Sequence, residues 1–117
     1  MVLEFGWAYG PEGTALQDKT CLNVITTGGA REIYCNNGSN NFSINEFLRP
    51  FEQTANLCGM NYLPPFAVMG THLLTSSELK EHAVQYDKLI DLLQAGIQLT
   101  EFKTCAFLND VPQLITQ

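Results

Sequence analysis

Two short apolar runs on either side of one well-capped helix constrain this chain more than any other feature. Residues 20–26 read as a strand, through Leu22, Val24 and Ile25, and Phe66-Ala67-Val68-Met69-Gly70 reads as a second, buried one. Pro64-Pro65 forces an extended entry into the second run, because a residue that precedes proline is pushed out of the helical region. Between the runs, Ser43-Ile44-Asn45-Glu46 is a capping box, in which a hydroxyl and a carboxylate three residues apart satisfy each other's backbone amides, so a helix begins there. Phe47, Leu48, Phe51, Ala55 and Cys58 follow the three-and-four spacing of one helical face, and Gly59 suits a left-handed C-cap. Pro50 falls inside this pattern and predicts an irregular start or a kink. Strand, helix, strand in that order predicts a β-α-β unit, and therefore an α/β fold with a parallel sheet.

A second capping box, Thr75-Ser76-Ser77-Glu78, opens a helix that carries Leu79, Ala83, Tyr86, Ile90 and Leu93 on one face and ends at Gly96. This helix is expected to cover one side of the sheet. The tail, residues 97–117, is apolar enough to pack through Leu99, Phe102, Phe107 and Leu108, but its period is ambiguous. With 117 residues, one core is all the chain is expected to bury. A net charge of −6 opposes docking on phosphate backbones or anionic lipid, which argues against nucleic acid as a partner. No apolar run approaches the roughly 20 residues that span a bilayer, and residues 1–10 lack the basic start of a signal peptide. The expectation is a cytoplasmic protein without membrane insertion.

The four cysteines, Cys21, Cys35, Cys58 and Cys105, are irregularly spaced, with no C-x-x-C pair and no histidines at metal-ligand intervals, and read as reduced thiols. Cys21 and Cys58 read as small core residues, and Cys35 as the one to test for reactivity. His72 and His82 fit neither a metal pair nor a proton relay and read as surface or satisfied residues. Arg49 reads as a structural ion-pairing residue, whereas Arg31 is left open between solvent and a cofactor phosphate or ribose.

The chemistry points to Thr26-Thr27-Gly28-Gly29, which follows the first apolar run directly, with Tyr34 five residues beyond. Open α/β sheets bind ligands beyond the carboxyl ends of their strands, and paired glycines let backbone N–H groups approach a flat ring closely. That combination hints at a redox cofactor.

Five segments taken together resemble the flavodoxin-like NAD(P)H:quinone oxidoreductases, a family that includes ancillary subunits of glutathione-gated potassium efflux systems. They are Gly6-Trp7-Ala8-Tyr9-Gly10, Gly13-Thr14-Ala15-Leu16, the run from Ile25 to Gly29 with Tyr34, Leu48-Arg49-Pro50-Phe51, and Leu63-Pro64-Pro65-Phe66. The resemblance runs from about Val2 to Leu93 and matches the second half of the family's domain. It implies the C-terminal half of a flavodoxin-like three-layer fold, with a short parallel sheet and flanking helices. Residues 1–96 would form a partial quinone reductase domain, and residues 97–117 a C-terminal extension. The family's flavin phosphate-binding segments lie upstream of what Trp7 matches, so the expectation is a truncated chain with an open sheet edge, which favours a homodimer.

The resemblance further implies two-electron hydride transfer from NAD(P)H through FMN or FAD to a quinone or related electrophile. Thr26, Thr27, Gly28 and Gly29 would lie along the flavin ring, Tyr34 would contact the flavin and assist catalysis, and Trp7 and Tyr9 would wall the substrate pocket. Some members carry a histidine in a relay where this chain has Asn40, which cannot exchange a proton near neutral pH. Alternatives stay open: an ancillary subunit docking on a cation-efflux transporter, or an inactive fragment. The residues also have plain structural readings: Trp7 and Tyr9 as core aromatics, Tyr34 as a loop residue packed on the helix, and Gly28-Gly29 as a tight turn.

Overall fold

The computed structural model describes residues 2–96 and 105–115. The first apolar run is two strands rather than one: β1, Thr20–Cys21, and β2, Val24–Thr26. The second run holds one strand, β4, Phe66–Val68, and a further strand that the pattern did not announce, β3, Asn61–Tyr62, precedes the diproline. β1 pairs with β3 and β2 with β4, both parallel. Leu22 and Asn23 separate β1 from β2, whereas Leu63, Pro64 and Pro65 separate β3 from β4, so the register slips by one residue between the two pairs. The cause is the diproline: neither residue has an N–H to give the ladder, and the extra residue is thrown out as a bulge. Leu63 N–H still donates to Cys21 O at 2.8 Å and Phe66 N–H to Asn23 O at 2.9 Å, which tie the chains together on either side of the gap.

Ser43 caps α1, Ile44–Phe47, with both bonds of the box in place. The helix breaks at Leu48 and restarts as α2, Arg49–Leu57, with Pro50 in its first turn, where a missing N–H costs nothing. Gly59, at φ +71°, takes the left-handed cap, and Met60 N–H donates back to Ala55 O. Thr75 caps α3, Ser76–Gln94, through a second complete box. Beyond α3, a turn of 3-10 helix at Leu108–Asp110 leads into α4, Pro112–Ile115.

Side chains alternate across β4, and this alternation builds the layers. Phe66 and Val68 point to one face, where they pack with Leu63, Leu89, Leu108, Val111 and Leu114 under α3 and α4. Ala67 points to the other and packs with Ile44, Leu48 and Phe107 under α1. Phe107 and Leu108 therefore pack as expected from the tail, while Leu99 and Phe102 lie outside the described residues.

The helical faces differ from the expected ones. On α1 and α2 the buried residues are Ile44, Leu48 and Ala55, with Cys58 just beyond, while Phe47 and Phe51 are about half exposed. On α3, Leu89 is the buried residue, and Leu79, Ala83, Tyr86 and Ile90 face outward to differing degrees. Periodicity marks a stripe that wants cover, and here the described residues cover only its margin. All four cysteines are free; Cys58 is buried, but Cys21 is only partly so.

Candidate functional site

Both loops at the carboxyl ends of β2 and β4 emerge side by side, because the strands are parallel neighbours. Three backbone hydrogen bonds join them into one platform, and a fourth, from a side chain, braces the first loop. Thr27 N–H donates to Val68 O at 3.0 Å, and the Thr27 hydroxyl donates to Gly29 O at 2.8 Å. Gly70 N–H donates to Gly29 O at 2.9 Å, and Thr71 N–H to Thr27 O at 3.1 Å. Gly70, at φ +69°, turns the second loop back toward the first.

The Thr27-Gly28-Gly29 turn is closely flanked, most tightly at Gly29. A Cβ on Gly29 would lie 2.4 Å from Ile33 Cδ1 and 3.3 Å from Tyr34 Cε2, and one on Gly28 would lie 2.8 Å from His72 Nε2. The turn is therefore flanked by Tyr34 on one side and His72 on the other. Among the described residues, neither the Gly28 nor the Gly29 N–H has a hydrogen-bond partner. Two undirected peptide donors beside an aromatic ring, at the carboxyl end of a parallel sheet, suit an acceptor-rich planar ligand such as a flavin ring.

Tyr34 follows a 3-10 turn, Arg31–Ile33, and its ring meets Phe47 edge-on, centroids 6.1 Å apart. Contact with Gly29 and packing on α1 thus coexist in one side chain. The loop behind it folds on itself, with Asn40 N–H donating to Ile33 O at 3.1 Å. Exposed Cys35 Sγ bonds Glu32 O at 3.3 Å.

Trp7 and Tyr9 belong to a separate loop. Tyr9 meets Phe5 edge-on at 5.6 Å, and Trp7 is 48% exposed. No hydrogen bond or ring contact among the described residues links either aromatic to the glycine turn.

His82 is half-buried, and its Nδ1, contrary to the expectation of a surface or satisfied residue, is buried with no hydrogen-bond partner among the described residues. It borders a cavity of about 300 Å³ that is also lined by Arg31, Met69 and Phe107. Arg31 stacks 4.5 Å above the Phe107 ring and bonds Asp110 at 3.1 Å, so its charge is held toward the tail. Arg49, expected in an ion pair, makes none among the described residues; its charge contributes only weakly to Glu46. The Glu46 carboxyl lies below its ordinary range, chiefly because the Ser43 backbone N–H donates to it, with the Ser43 side chain adding to the effect. Burial raises the Cys21 thiol. Burial also raises the Tyr62 phenol, against a 2.8 Å bond from Asn23 Nδ2 that lowers it.

Two residues of this architecture escape sequence reasoning. His72 sits 44 positions from Gly28 in the chain, and only the parallel pairing of β2 and β4 brings it there. Asn109 lies in the tail, and its side-chain amide grips Ala67 twice: Ala67 N–H donates to Asn109 Oδ1, and Asn109 Nδ2 donates to Ala67 O, each at 2.9 Å. Its place in Leu108-Asn109-Asp110, beside another polar residue, gives no sequence signal for this role. Among the described residues no three His, Cys, Asp or Glu side chains cluster as metal ligands. No helix among them is long and apolar enough to cross a membrane.

Comparison with known proteins gives this platform its context. The family described as having a flavodoxin-like fold matches residues 1–90. An uncharacterized NAD(P)H oxidoreductase of Bacillus subtilis, YrkL, is 42% identical over 94 residues, which cover 80% of this chain and 52% of that protein. KefF, a glutathione-regulated potassium-efflux system ancillary protein of Citrobacter koseri, is 39% identical over 85 residues, 73% of this chain and 47% of that protein. General stress protein 14 of Treponema denticola, solved in complex with FMN, superposes with a TM-score of 0.66 at 32% identity, covering 80% of this chain and 52% of that one. The chain spans about half the length of the relatives it matches.

Proposed function

Because the chain belongs to the flavodoxin-like family, we propose that it forms the ring-binding part of a flavin-dependent NAD(P)H:quinone oxidoreductase. One observation carries the reading: the unpartnered Gly28 and Gly29 N–H groups at the carboxyl end of the sheet, with Tyr34 packed against Gly29. When bound, FMN or FAD would supply two-electron redox chemistry between NAD(P)H and a quinone or related electrophile. The two glycine N–H groups would donate to acceptor atoms of its ring and stabilise negative charge there, without reorganising, because the turn is already tied to Val68, Gly70 and Thr71. Thr26 closes β2 beside the ring, and Thr27, whose hydroxyl is committed to Gly29 O, holds the turn in shape. Tyr34 would offer its hydroxyl as donor or acceptor at the ring's rim.

On this reading, residues 1–96 are part of the redox domain, residues 97–117 extend it, and the active species is a cytoplasmic homodimer. Trp7 and Tyr9 then wall the pocket of the opposite protomer, consistent with their lying apart from the turn of their own chain. A second reading is favoured by the likeness to KefF: a regulatory subunit that docks on the cytosolic part of a cation-efflux transporter.

Titration of FMN and FAD into the protein, read by flavin fluorescence, tests the redox reading. Saturable quenching that weakens in Gly29→Ala supports it. Failure of both flavins to bind, with the chain alone and with the chain joined to the remainder of the Treponema protein, overturns it. Binding to a transporter's cytosolic domain that does not depend on Tyr34 or on quinone turnover would favour the regulatory reading instead.

A further inference from the structure

The match to the family ends at residue 90, yet residues 106–110, beyond it, reach the loop that carries Tyr34. This part of the tail is fixed from elsewhere. Asn45 Nδ2 on α1 donates to Ala106 O at 3.1 Å, Leu108 N–H donates to Pro65 O at 2.8 Å, and Asn109 holds both backbone groups of Ala67. So α1 and β4 set the position from which the tail meets the loop.

What it meets is Arg31, the first residue of the 3-10 turn between Gly29 and Tyr34. Buried Phe107 lies 4.5 Å under the guanidinium, and Asp110 accepts from Arg31 Nη2 at 3.1 Å. A planar guanidinium can stack on a ring and donate to a carboxylate at once, which an ammonium cannot. The bonds that shape the turn are internal to the loop: Ile33 N–H to Ala30 O, Tyr34 N–H to Arg31 O, and Asn40 N–H to Ile33 O. Ile33 closes against Gly29, and Tyr34 packs on the apolar cluster of Ile44, Leu48, Ala67 and Phe107. Arg31 and Asp110 are 54% and 41% exposed, so their contact adds little to the stability of the whole fold. Against the opening of a single surface turn, whose free energy starts near zero, the same contact is large.

We propose that Arg31 is a positioning residue: gripped by Phe107 and Asp110, it latches the turn that sets Ile33 and Tyr34 against Gly29, so that the tail holds the ring-binding site in shape. What the site binds rests on the redox reading, whereas the latch is measured in the flavin-free chain, so failure of the one is distinguishable from failure of the other.

Amide exchange followed by NMR on the full 117-residue chain tests the latch. In Arg31→Met the Ile33, Tyr34 and Asn40 amides should exchange about three- to twentyfold faster, the joint effect of losing an exposed ion pair and a cation–π contact, while amides around Leu89 in α3 keep the parent rate. Asp110→Asn should accelerate the same amides by a smaller factor and add nothing in the Arg31→Met background, where its partner is already gone. Arg31→Lys keeps the charge beside Asp110 but not the flat stack, and should fall between Arg31→Met and the parent. Unchanged exchange at these amides in Arg31→Met and in Asp110→Asn overturns the proposal. So does acceleration that extends equally to Leu89, which would make Arg31 a residue of general stability, and so does simple additivity of the two substitutions.

Discussion

Asn109→Ala should unseal the β4 edge and cost more than an ordinary polar-to-alanine change. The side chain makes two hydrogen bonds of 2.9 Å, one to each backbone group of Ala67, a residue only 4% exposed. Removing it leaves a buried N–H and a buried C=O without partners. Each such group costs about 1–3 kcal/mol, so the pair is worth roughly 2–6 kcal/mol, nearer the lower figure where water follows into the gap. With a urea slope of about 2 kcal/mol per molar, the unfolding midpoint falls by roughly 1–3 M. Asn109→Asp makes the comparison specific. The introduced carboxylate keeps the acceptor for Ala67 N–H but turns a second acceptor against Ala67 O. Its charged form is disfavoured in the folded state, so this variant should regain stability as pH is lowered through the carboxylate range, whereas the alanine variant should not. A midpoint within about 0.3 M of the parent for Asn109→Ala, or the same pH response in both variants, would refute the account of Asn109 as the seal of that edge.

Other substitutions separate packing from capping and charge. Gly29→Ala should lose about 1–3 kcal/mol, since its Cβ would press on Ile33 and Tyr34, and Gly28→Ala should stay within about 0.5 kcal/mol because exposed His72 can swing aside; equal effects in urea unfolding would show that the turn is not packed as described. Thr75→Ala removes the bond to Glu78 N–H and should cost about 1 kcal/mol of stability, read by thermal unfolding. The Glu46 carboxyl lies below its unfolded value, so its contribution is complete above the ordinary carboxylate range and is lost as pH falls through the lowered folded value. Ser43→Ala removes the hydroxyl but leaves the backbone N–H, so the Glu46 titration, followed by NMR, should move only part of the way toward the ordinary range, and a complete return would count against the Ser43 backbone N–H as its chief cause.

How far the sequence discloses this fold depends on the range of the interaction concerned. Caps are local: Ser43 with Glu46, Thr75 with Glu78, Gly59 and Gly96 each act within a few residues, and all four mark helix ends in the structure. Strand continuity is not local. Nothing in residues 20–26 announces the break at Leu22 and Asn23, because its cause is Pro64-Pro65 on the neighbouring strand. The Thr27-Gly28-Gly29 turn is legible as a ligand-facing feature, since a strand end and paired glycines lie together in the chain. His72 is not, because only strand pairing brings it to Gly28. Asn109 is hidden for the same reason, in a tail whose period points to no element.

Where the apolar pattern and the observed burial part company, the difference itself carries information. Periodicity reports which residues are selected to be covered, and the structure reports which ones this chain covers by itself. For Leu48, Ala55 and Cys58 the two agree, because α1 and α2 find their partners within the described residues. For Leu79, Ala83 and Tyr86 they disagree, and these residues are not scattered: they line one groove beside β2, whose outer edge pairs with no strand among the described residues. A misplaced helix would leave its stripe exposed against an otherwise complete sheet. Here the exposed stripe lies beside β2, whereas on the other side of the pair Asn109 closes over Ala67, so pattern and burial part company on one side of the sheet and agree on the other.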